Sequence, residues 1–253
     1  MKEIMTCKVV ENVSIAQEIH RITLELPVEQ TLCPGQFANV YLNDPSRLLP
    51  RPIGISRLQG AMLQLVYRTV GGGTALMAGM QPGETLRLSP PLGKGYELPE
   101  SGHVLLVGGG VGAPLLLGTA EVARAKGLSV SAALGYRSEL FLAEDFEALC
   151  DRVYIATDDG SHGYHGTVVA LLGETALPEN TTVLACGPTP MLRALAAFCK
   201  EKNLPLQVSL EARMGCGYGA CVGCVVKLEQ KGEIVQKRVC KDGPVFNGWE
   251  VCF

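Results

Sequence analysis

The first third of the chain alternates apolar and polar residues over short runs, which predicts β-strands. Ile22, Leu24 and Leu26 alternate with polar neighbours, and a period of two is typical of a half-buried strand. Similar runs follow at 37–42, 63–68 and 85–88. Pro-Gly and Asn-Asp-Pro sequences between the runs mark turns. Several short strands at this spacing predict a small antiparallel β-barrel over residues 1–98.

From residue 99 onward, short apolar runs alternate with segments of helical spacing. The runs that predict strands lie at 103–107, 129–135, 153–157 and 182–185. The segments that predict helices lie at 114–126, 144–151, 167–172 and 191–203. This alternation predicts a doubly wound parallel α/β domain over 99–205, and the residues 206–253 show no long helical pattern. The predicted fold class is therefore multidomain α and β.

Charge and hydropathy exclude several classes of partner. Lys and Arg number 22 against 25 Asp and Glu, giving a formal net charge of −3 without any basic block. Because phosphate binding needs a positive surface, we do not expect nucleic acid as a partner. No apolar run approaches the roughly 18–20 residues of a membrane span, and segment 1–7 lacks the apolar core of a secretory signal. We expect a cytoplasmic protein without a membrane partner.

Four of the ten cysteines have metal-ligand spacing: Cys216, Cys221, Cys224 and Cys240. The pattern C-x4-C-x2-C…C is the plant-type spacing of a [2Fe–2S] ferredoxin, in which four thiolates hold two irons. Glycines at 215, 217, 219 and 223 would let backbone N–H groups point at the sulfurs. A four-cysteine zinc site usually pairs two short knuckles, and disulfides fit a cytoplasmic protein poorly. The spacing favours a small C-terminal [2Fe–2S] domain.

A glycine-rich turn between a predicted strand and a predicted helix has the form of a dinucleotide-binding site. Gly108, Gly110 and Gly112 follow the pattern G-x-G-x-x-A, in which glycines admit a pyrophosphate to the backbone at a helix start. The next strand ends at Arg137 rather than at the acid that would bind a ribose 2′-hydroxyl, so the choice between NAD and NADP stays open. Three further residues follow a strand at the same expected sheet edge: Cys186, Gly187 and Pro188.

Two arginines, an aromatic residue and a Gly-Thr turn form a third candidate site, in the predicted barrel. The candidate residues are Arg51, Pro52, Ile53, Gly54, Ser56, Val66, Tyr67, Arg68, Gly73 and Thr74. Such groups could hold an anionic pyrophosphate beside a planar ring. A surface turn with two exposed arginines would give the same pattern, and these residues alone do not separate the two interpretations.

These barrel residues resemble the flavin-binding signature of the ferredoxin–NADP reductase superfamily. Residues 89–96 resemble its barrel-closing segment, and residues 108–113, 159–161 and 186–188 resemble its nicotinamide domain. The four-cysteine cluster narrows the resemblance to the electron-transfer subunits of dihydroorotate dehydrogenase B, over essentially the whole chain. Two departures stand out. Gly54 replaces a usual Ser, and Ser89 with Pro90 replaces a usual Gly.

The resemblance implies FAD on the barrel, NAD+ on the α/β domain and a [2Fe–2S] cluster on the four cysteines. It also implies a partner, an FMN-containing dihydroorotate dehydrogenase catalytic subunit, in a heterotetramer of two copies of each chain. Electrons from dihydroorotate would then pass through the cluster and FAD to NAD+ during pyrimidine (UMP) synthesis. This chain would hold no dihydroorotate site, and no catalytic residue is assigned to it.

Two other interpretations remain open at the level of sequence. The first is a reductase subunit of a ferredoxin–NADP transhydrogenase or a sulfide dehydrogenase, but such subunits typically carry Asp where Cys216 stands. The second is a regulatory flavin and iron–sulfur redox sensor. A sensor need not reduce NAD, so the complete flavin signature counts against it.

Overall fold

A closed antiparallel β-barrel forms the amino-terminal part of the chain, in a computed structural model that describes residues 3–253. Met1 and Lys2, which begin the segment considered above as a secretory signal, lie outside the described residues. The strands are β1 (Met5–Ala16), β2 (Ile19–Glu25), β3 (Phe37–Tyr41), β4 (Arg51–Gln59), β5 (Met62–Arg68) and β6 (Thr85–Leu88). They close in the order β1-β2-β5-β4-β3-β6, and the short helix α1 (Gly72–Ala78) lies between β5 and β6.

The strands predicted from alternation contribute apolar residues to the barrel core. Ile22, Leu24 and Leu65 are fully buried in it, and the predicted strands are confirmed as β2, β3, β5 and β6. The strands β1 and β4 were not predicted. In β1 the exposed Val10 breaks the sequence alternation, and β4 contains Pro52 and Gly54, residues that weaken a strand prediction.

A seven-stranded sheet forms the second part of the chain. Its strands are β7 (His103–Gly109), β8 (Ser129–Tyr136), β9 (Arg152–Thr157), β10 (Tyr164–His165), β11 (Thr181–Cys186), β12 (Leu206–Ser209) and β15 (Val245–Asn247). The strands β13 (Val225–Gln230) and β14 (Glu233–Arg238) lie between β12 and β15 in the chain and are not part of this sheet. The helices are α2 (Leu117–Ala125), α3 (Ala143–Leu149), α4 (Val168–Gly173), α5 (Thr189–Glu201) and α6 (Val239–Asp242). The sheet order is β10-β9-β8-β7-β11-β12-β15, parallel except for the last pair.

Helices cover both faces of this sheet, as the predicted doubly wound fold requires. Buried residues of α2 and α3 join one core cluster, and those of α4 and α5 join another. The strand order reverses between β7 and β11, which is where ligands bind in such folds. The helix predicted at 114–126 begins later, at Leu117, because residues 110–116 form 3-10 turns. Pro114 lies inside these turns and has no N–H for an α-helical hydrogen bond.

The last part of the chain is interleaved with the sheet. The strands β13 and β14 pair with each other as an antiparallel hairpin outside the large sheet, which β12 and β15 complete. The domain boundaries after residues 98 and 205 stay predictions. No helix within residues 3–253 is long and apolar enough to cross a membrane.

Candidate functional site

One cavity of about 240 Å³ lies where the barrel meets two other segments. One is the nucleotide loop, residues 108–116, and the other precedes the cysteine loop, residues 216–224. Pro52, Gly54 and Val66 line it from the barrel, and Cys186 lines it from the edge of the sheet. Residues 209–212, which lead toward the cysteine loop, form another wall. The structure therefore brings part of the flavin signature and part of the nicotinamide signature to a single space.

The flavin-signature residues of β4 and β5 lie on adjacent antiparallel strands. Arg51, Pro52, Ile53 and Gly54 form the partly exposed start of β4. Ser56 is the extra residue of a β-bulge, is fully buried, and donates its hydroxyl proton to the carbonyl of Pro114 over 2.8 Å. Its hydroxyl thus joins the barrel to the nucleotide loop, and its contact with FAD stays a prediction.

Two arginines converge at the start of α1. A Cβ on Gly73 would overlap the Arg51 guanidinium, and a Cβ on Gly72 would lie 2.5 Å from Nη2 of Arg47. Glycine at both positions leaves room for these cationic side chains beside the turn. Arg47 was not predicted from the sequence, because only the folded loop before β4 brings it next to Arg51. Asp44 Oδ2 lies 3.8 Å from Nε of Arg47, so the turn carries two guanidinium groups and one nearby carboxylate.

Thr74 and Tyr67 are held by contacts within the barrel part. The hydroxyl of Thr74 accepts a hydrogen bond from the Val70 N–H at 2.9 Å and so closes the first turn of α1. Tyr67 is almost fully buried, and its ring stacks on His20 with centroids 5.7 Å apart. Burial raises the pKa of Tyr67 well above its usual value. Arg68 lies at the partly exposed end of β5. The FAD contacts of all three residues stay predictions.

The two predicted nucleotide segments meet at the point where the strand order reverses. Gly108 on β7 pairs with Cys186 on β11. A Cβ on Gly112 would lie 2.7 Å from the Cα of Gly187, so glycine is needed for the two segments to pack. Gly110 has φ +50, and no atom would lie within 4 Å of a Cβ there, so the loop apex faces open space. Pro188 directly precedes α5.

The backbone of two aspartates lies against the end of β8, where the sequence lacks the usual acid. Asp158 donates its N–H to Tyr136 O at 3.1 Å, and Asp159 donates its N–H to Arg137 O at 3.2 Å. Hydrogen bonds from Ser161 lower the pKa of the Asp159 carboxyl. We did not predict a role for Asp158. The Asp-Asp-Gly sequence after an apolar run could have pointed to Asp158. Its position next to β8, however, follows only from the order of the strands in the sheet.

Burial raises the pKa of two ionisable groups that line the cavity. Burial raises the pKa of the Cys186 thiol to about 12, and the nearby Glu211 raises it further. Burial also raises the pKa of Glu211 itself. Glu211 was not singled out from the sequence, since a single Glu after a strand carries no pattern. A thiol and a carboxyl therefore face the same enclosed space between the barrel and the sheet.

The four candidate metal ligands lie in the cysteine loop, residues 216–224, and on α6. Cys224 and Cys240 are buried, whereas Cys221 is exposed. The Sγ of Cys216 accepts N–H groups from Tyr218 at 3.3 Å and from Cys221 at 3.5 Å. The Sγ of Cys224 accepts the N–H of Cys240 at 3.4 Å. The backbone thus surrounds the sulfurs with donors, as the glycine pattern predicts.

The four cysteines are joined two by two, because the Cys221 N–H donates to the Sγ of Cys216 and the Cys240 N–H donates to the Sγ of Cys224. Burial raises the pKa of Cys216, but N–H groups of the loop outweigh it and lower the pKa to about 6. Burial and Cys224 raise the pKa of Cys240 to about 12. Among residues 3–253, no three His, Cys, Asp or Glu side chains converge as a single-ion site would require. Two pairs of thiols fit a two-iron cluster, because each iron takes two of the four cysteines.

Arg238 fixes the cysteine loop from the hairpin side. Its Nη1 donates to the carbonyl of Gly219 at 3.0 Å, and its Nε donates to Asp242 at 3.1 Å. Gly219 has φ +82, and a Cβ there would lie 2.6 Å from the Lys241 side chain. The loop therefore packs against α6, the helix that carries the fourth cysteine. Sequence reasoning did not identify Arg238, because its partners lie 4 and 19 residues away.

Comparisons with known proteins identify the family. Residues 211–252 match the model of the iron–sulfur cluster binding domain of dihydroorotate dehydrogenase B. The chain is 38% identical over 249 residues to a dihydroorotate dehydrogenase B (NAD(+)) electron transfer subunit from Caldanaerobacter subterraneus subsp. tengcongensis, covering 98% of both chains. It is 41% identical over 248 residues to the corresponding subunit from Bacillus caldolyticus, covering 94% of both.

A solved structure shows the same fold over nearly the whole chain. A chain of the NADH-dependent reduced ferredoxin–NADP oxidoreductase, described for flavin-based electron bifurcation, superposes with a TM-score of 0.87 and 29% identity. The match covers 97% of this chain and 89% of that one. With nearly full-length relatives at 38% and 41% identity, this chain belongs to the family of electron transfer subunits of dihydroorotate dehydrogenase B (NAD(+)).

Proposed function

We propose that this chain is the electron-transfer subunit of an NAD+-linked dihydroorotate dehydrogenase. The observation that carries the proposal is the shared cavity. It places flavin-signature residues, Cys186 of the nicotinamide signature and the segment before the cysteine loop around one space. Bound FAD exchanges hydride with a nicotinamide and single electrons with an iron–sulfur cluster, so a chain with all three sites joins the two kinds of transfer.

In this proposal the barrel residues bind FAD. Arg51 and Arg47 neutralise the pyrophosphate beside the turn at Gly72 and Gly73, where the structure leaves room for both guanidinium groups. Pro52, Gly54 and Val66 line the cavity and would exclude water from the flavin ring. The other candidate FAD-binding residues of the barrel are Ile53, Ser56, Tyr67, Arg68, Gly73 and Thr74. Exclusion of water strengthens the electrostatic interactions inside the site.

The edge of the sheet binds NAD+ in the same proposal. The open apex at Gly110 and the close packing of Gly112 on Gly187 leave backbone N–H groups accessible at the strand reversal. Asp158, whose N–H bonds the Tyr136 carbonyl at the end of β8, would accept hydrogen bonds from ribose hydroxyls and would repel a 2′-phosphate, which favours NAD+ over NADP+. The neutral thiol of Cys186 borders the nicotinamide without placing a charge in the cavity.

The cluster and the partner complete the proposal. Cys216, Cys221, Cys224 and Cys240 hold the [2Fe–2S] cluster as two pairs of ligands. A catalytic subunit that contains FMN oxidises dihydroorotate and supplies the electrons, in a cytoplasmic heterotetramer of two copies of each chain. The exposed position of Cys221 supports delivery of electrons from outside this chain.

Replacement of one ligand tests the proposed electron path. In the native complex, Cys221→Ser should abolish orotate-linked NAD+ reduction, because electrons can no longer cross the cluster. It should spare NADH oxidation by an artificial dye, which needs only the flavin and nicotinamide sites. The readouts are the two steady-state rates and the iron content.

Cys252→Ser is the matched control, because Cys252 is an exposed cysteine outside the ligand set. It should leave both rates and the iron content unchanged. If Cys221→Ser retained both activities at full rate, the cluster would not lie on the path and the proposed function would fail.

A further inference from the structure

The barrel strand β3 contacts the cysteine loop through two side chains on its outer face. Nδ2 of Asn39 donates to the carbonyl of Cys216 at 3.1 Å, and the hydroxyl of Tyr41 hydrogen-bonds the hydroxyl of Tyr218. Both pairs are separated by 177 residues, so the strand and the loop run side by side for three residues. Residues two apart on a strand share a face, and the intervening Val40 points into the barrel core.

Asn39 is more tightly held than an amide that only fills space. It is fully buried, its N–H donates to Ser89 Oγ at 2.9 Å, and its carbonyl accepts the Ser89 N–H at 3.0 Å. Its side-chain Oδ1 is buried without a hydrogen-bond partner. A half-satisfied buried amide is costly, and a leucine of similar volume would fill the space at less expense. The bond to the Cys216 carbonyl is the interaction that the amide provides.

That bond fixes the turn that faces the first ligand sulfur. Gly217 has φ +77, and a Cβ there would overlap the Asn39 amide, so the amide packs directly on the turn. The next residue, Tyr218, donates its N–H to the Sγ of Cys216 at 3.3 Å. Without Asn39, the peptide between Cys216 and Gly217 is free to rotate, and the N–H···S bond lengthens.

We propose that Asn39, assisted by Tyr41, is a positioning residue that holds the cysteine loop on the barrel and sets the potential of the cluster. An N–H donor to a ligand sulfur stabilises the more negative, reduced cluster, so its loss lowers the reduction potential. Asn39 also pairs with Pro52 across β3 and β4, which links the loop to the strand that carries the flavin signature. This inference rests on the proposed function for the identity of the bound groups.

The test replaces Asn39 with leucine and compares it with the same change at Asn43. Nδ2 of Asn43 also donates to a backbone carbonyl, that of Thr85, at 3.1 Å. Asn43 is exposed and this bond goes to Thr85 rather than to the cysteine loop, so Asn43→Leu controls for the loss of an amide-to-carbonyl bond within the barrel part. The readouts on the purified complex are the electron paramagnetic resonance spectrum of the reduced cluster, its midpoint potential, FAD and iron content, and NADH oxidation by ferricyanide.

Asn39→Leu should shift the resonance spectrum and lower the one-electron equilibrium constant of the cluster about tenfold, which corresponds to about 59 mV. The FAD content and the ferricyanide rate should stay at the values of the unmodified protein, and Asn43→Leu should change nothing. A spectrum and midpoint potential equal to those of Asn43→Leu would overturn the proposal.

Loss of the cluster from Asn39→Leu with FAD retained would support positioning. If both groups were lost, Tyr41→Phe decides the matter, since it removes only the outer hydrogen bond. A smaller shift in the same direction supports the proposal, and no shift overturns it. If NADH fails to reduce the cluster of the unmodified protein, the proposed function fails instead, while the spectra still decide the role of Asn39.

Discussion

Leu115 occupies the space that a side chain at position 54 would need. A Cβ on Gly54 would lie 2.9 Å from Cδ1 of Leu115, and both residues line the cavity. The glycine at position 54, where the superfamily usually has serine, is therefore accompanied by a close contact from Leu115. A leucine from the nucleotide loop fills the space that glycine leaves on the barrel.

This pairing predicts non-additive effects on stability. Gly54→Ser should lower the free energy of unfolding by about 1–3 kcal/mol through overpacking, and Leu115→Ala should lower it by about 2–5 kcal/mol through a cavity. The double variant should lose at least about 1 kcal/mol less than the sum, because the serine fills part of the new space. Urea unfolding of the three variants measures this, and simple additivity would contradict the pairing.

At the scale of residues, the sequence predicted those candidate residues that belong to a local motif. It missed the residues that only the folded chain brings next to a motif. The cysteine spacing identified Cys216, and the structure surrounds its sulfur with N–H donors. Arg47, Asp158 and Glu211 were missed as site residues. Their neighbours come from distant segments, so their roles depend on the strand order and on the path of the loops.

The segment that closes the barrel, residues 89–96, connects it to the nucleotide sheet through Tyr96. The Tyr96 hydroxyl donates to the carbonyl of Ala185 at 2.8 Å, next to Cys186, and its backbone N–H donates to Pro34 O at 2.7 Å. Its ring is nearly inaccessible to solvent. Burial raises the pKa of Tyr96 well above its usual value, so the hydroxyl stays a donor.

Tyr96→Phe should lower the free energy of unfolding by about 1 kcal/mol at neutral pH, because it removes one buried hydrogen bond. Burial also raises the pKa of Tyr67 and Tyr136 in the folded chain. Above about pH 10 the unfolded chain therefore loses protons that the folded chain keeps, and stability falls as pH rises. In Tyr96→Phe this decline should be shallower by up to about 1.4 kcal/mol per pH unit.

Urea unfolding at pH 8, 10 and 11 measures both effects of the Tyr96 change. An identical alkaline decline in the variant and the unmodified protein would show that Tyr96 ionises normally in the folded state. No loss of stability at pH 8 would show that its hydrogen bond to Ala185 contributes nothing.

At the scale of elements, alternation and helical spacing predicted most of the strands and helices. Exceptions arise where local sequence and tertiary pairing disagree. β4 forms although it begins with Arg-Pro and contains Gly54, because β3 and β5 supply its hydrogen-bond partners. Likewise β12 and β15 are only 4 and 3 residues long, and pairing in the large sheet makes them strands.

The whole molecule is held together by contacts between the barrel and the α/β part. Arg57 on the barrel binds Glu121 at 2.9 Å and Asp145 at 2.8 Å, on α2 and α3 respectively. All three side chains are partly buried, so the ion pairs are less screened by solvent than fully exposed pairs. These ion pairs and the hydrogen bonds of Ser56 and Tyr96 hold the barrel wall of the cavity against the α/β wall.

At this scale the proposed function predicts the composition of the native assembly. Purification through a tag on this chain should yield a second chain, with FAD and FMN in equal amounts. Flavin analysis after denaturation measures the ratio. FAD alone, without an FMN protein, would contradict the dihydroorotate proposal and leave a reductase that serves another acceptor.

The interleaving of the last segment with the sheet has a consequence for biosynthesis. Residues 210–244 form an excursion between two neighbouring strands, β12 and β15. During translation β12 is therefore an open sheet edge until Val245–Asn247 emerge from the ribosome, and open edges are prone to pair with other chains. The return of β15 to β12 covers this edge and brings the whole excursion, with its four cysteines, back onto the sheet.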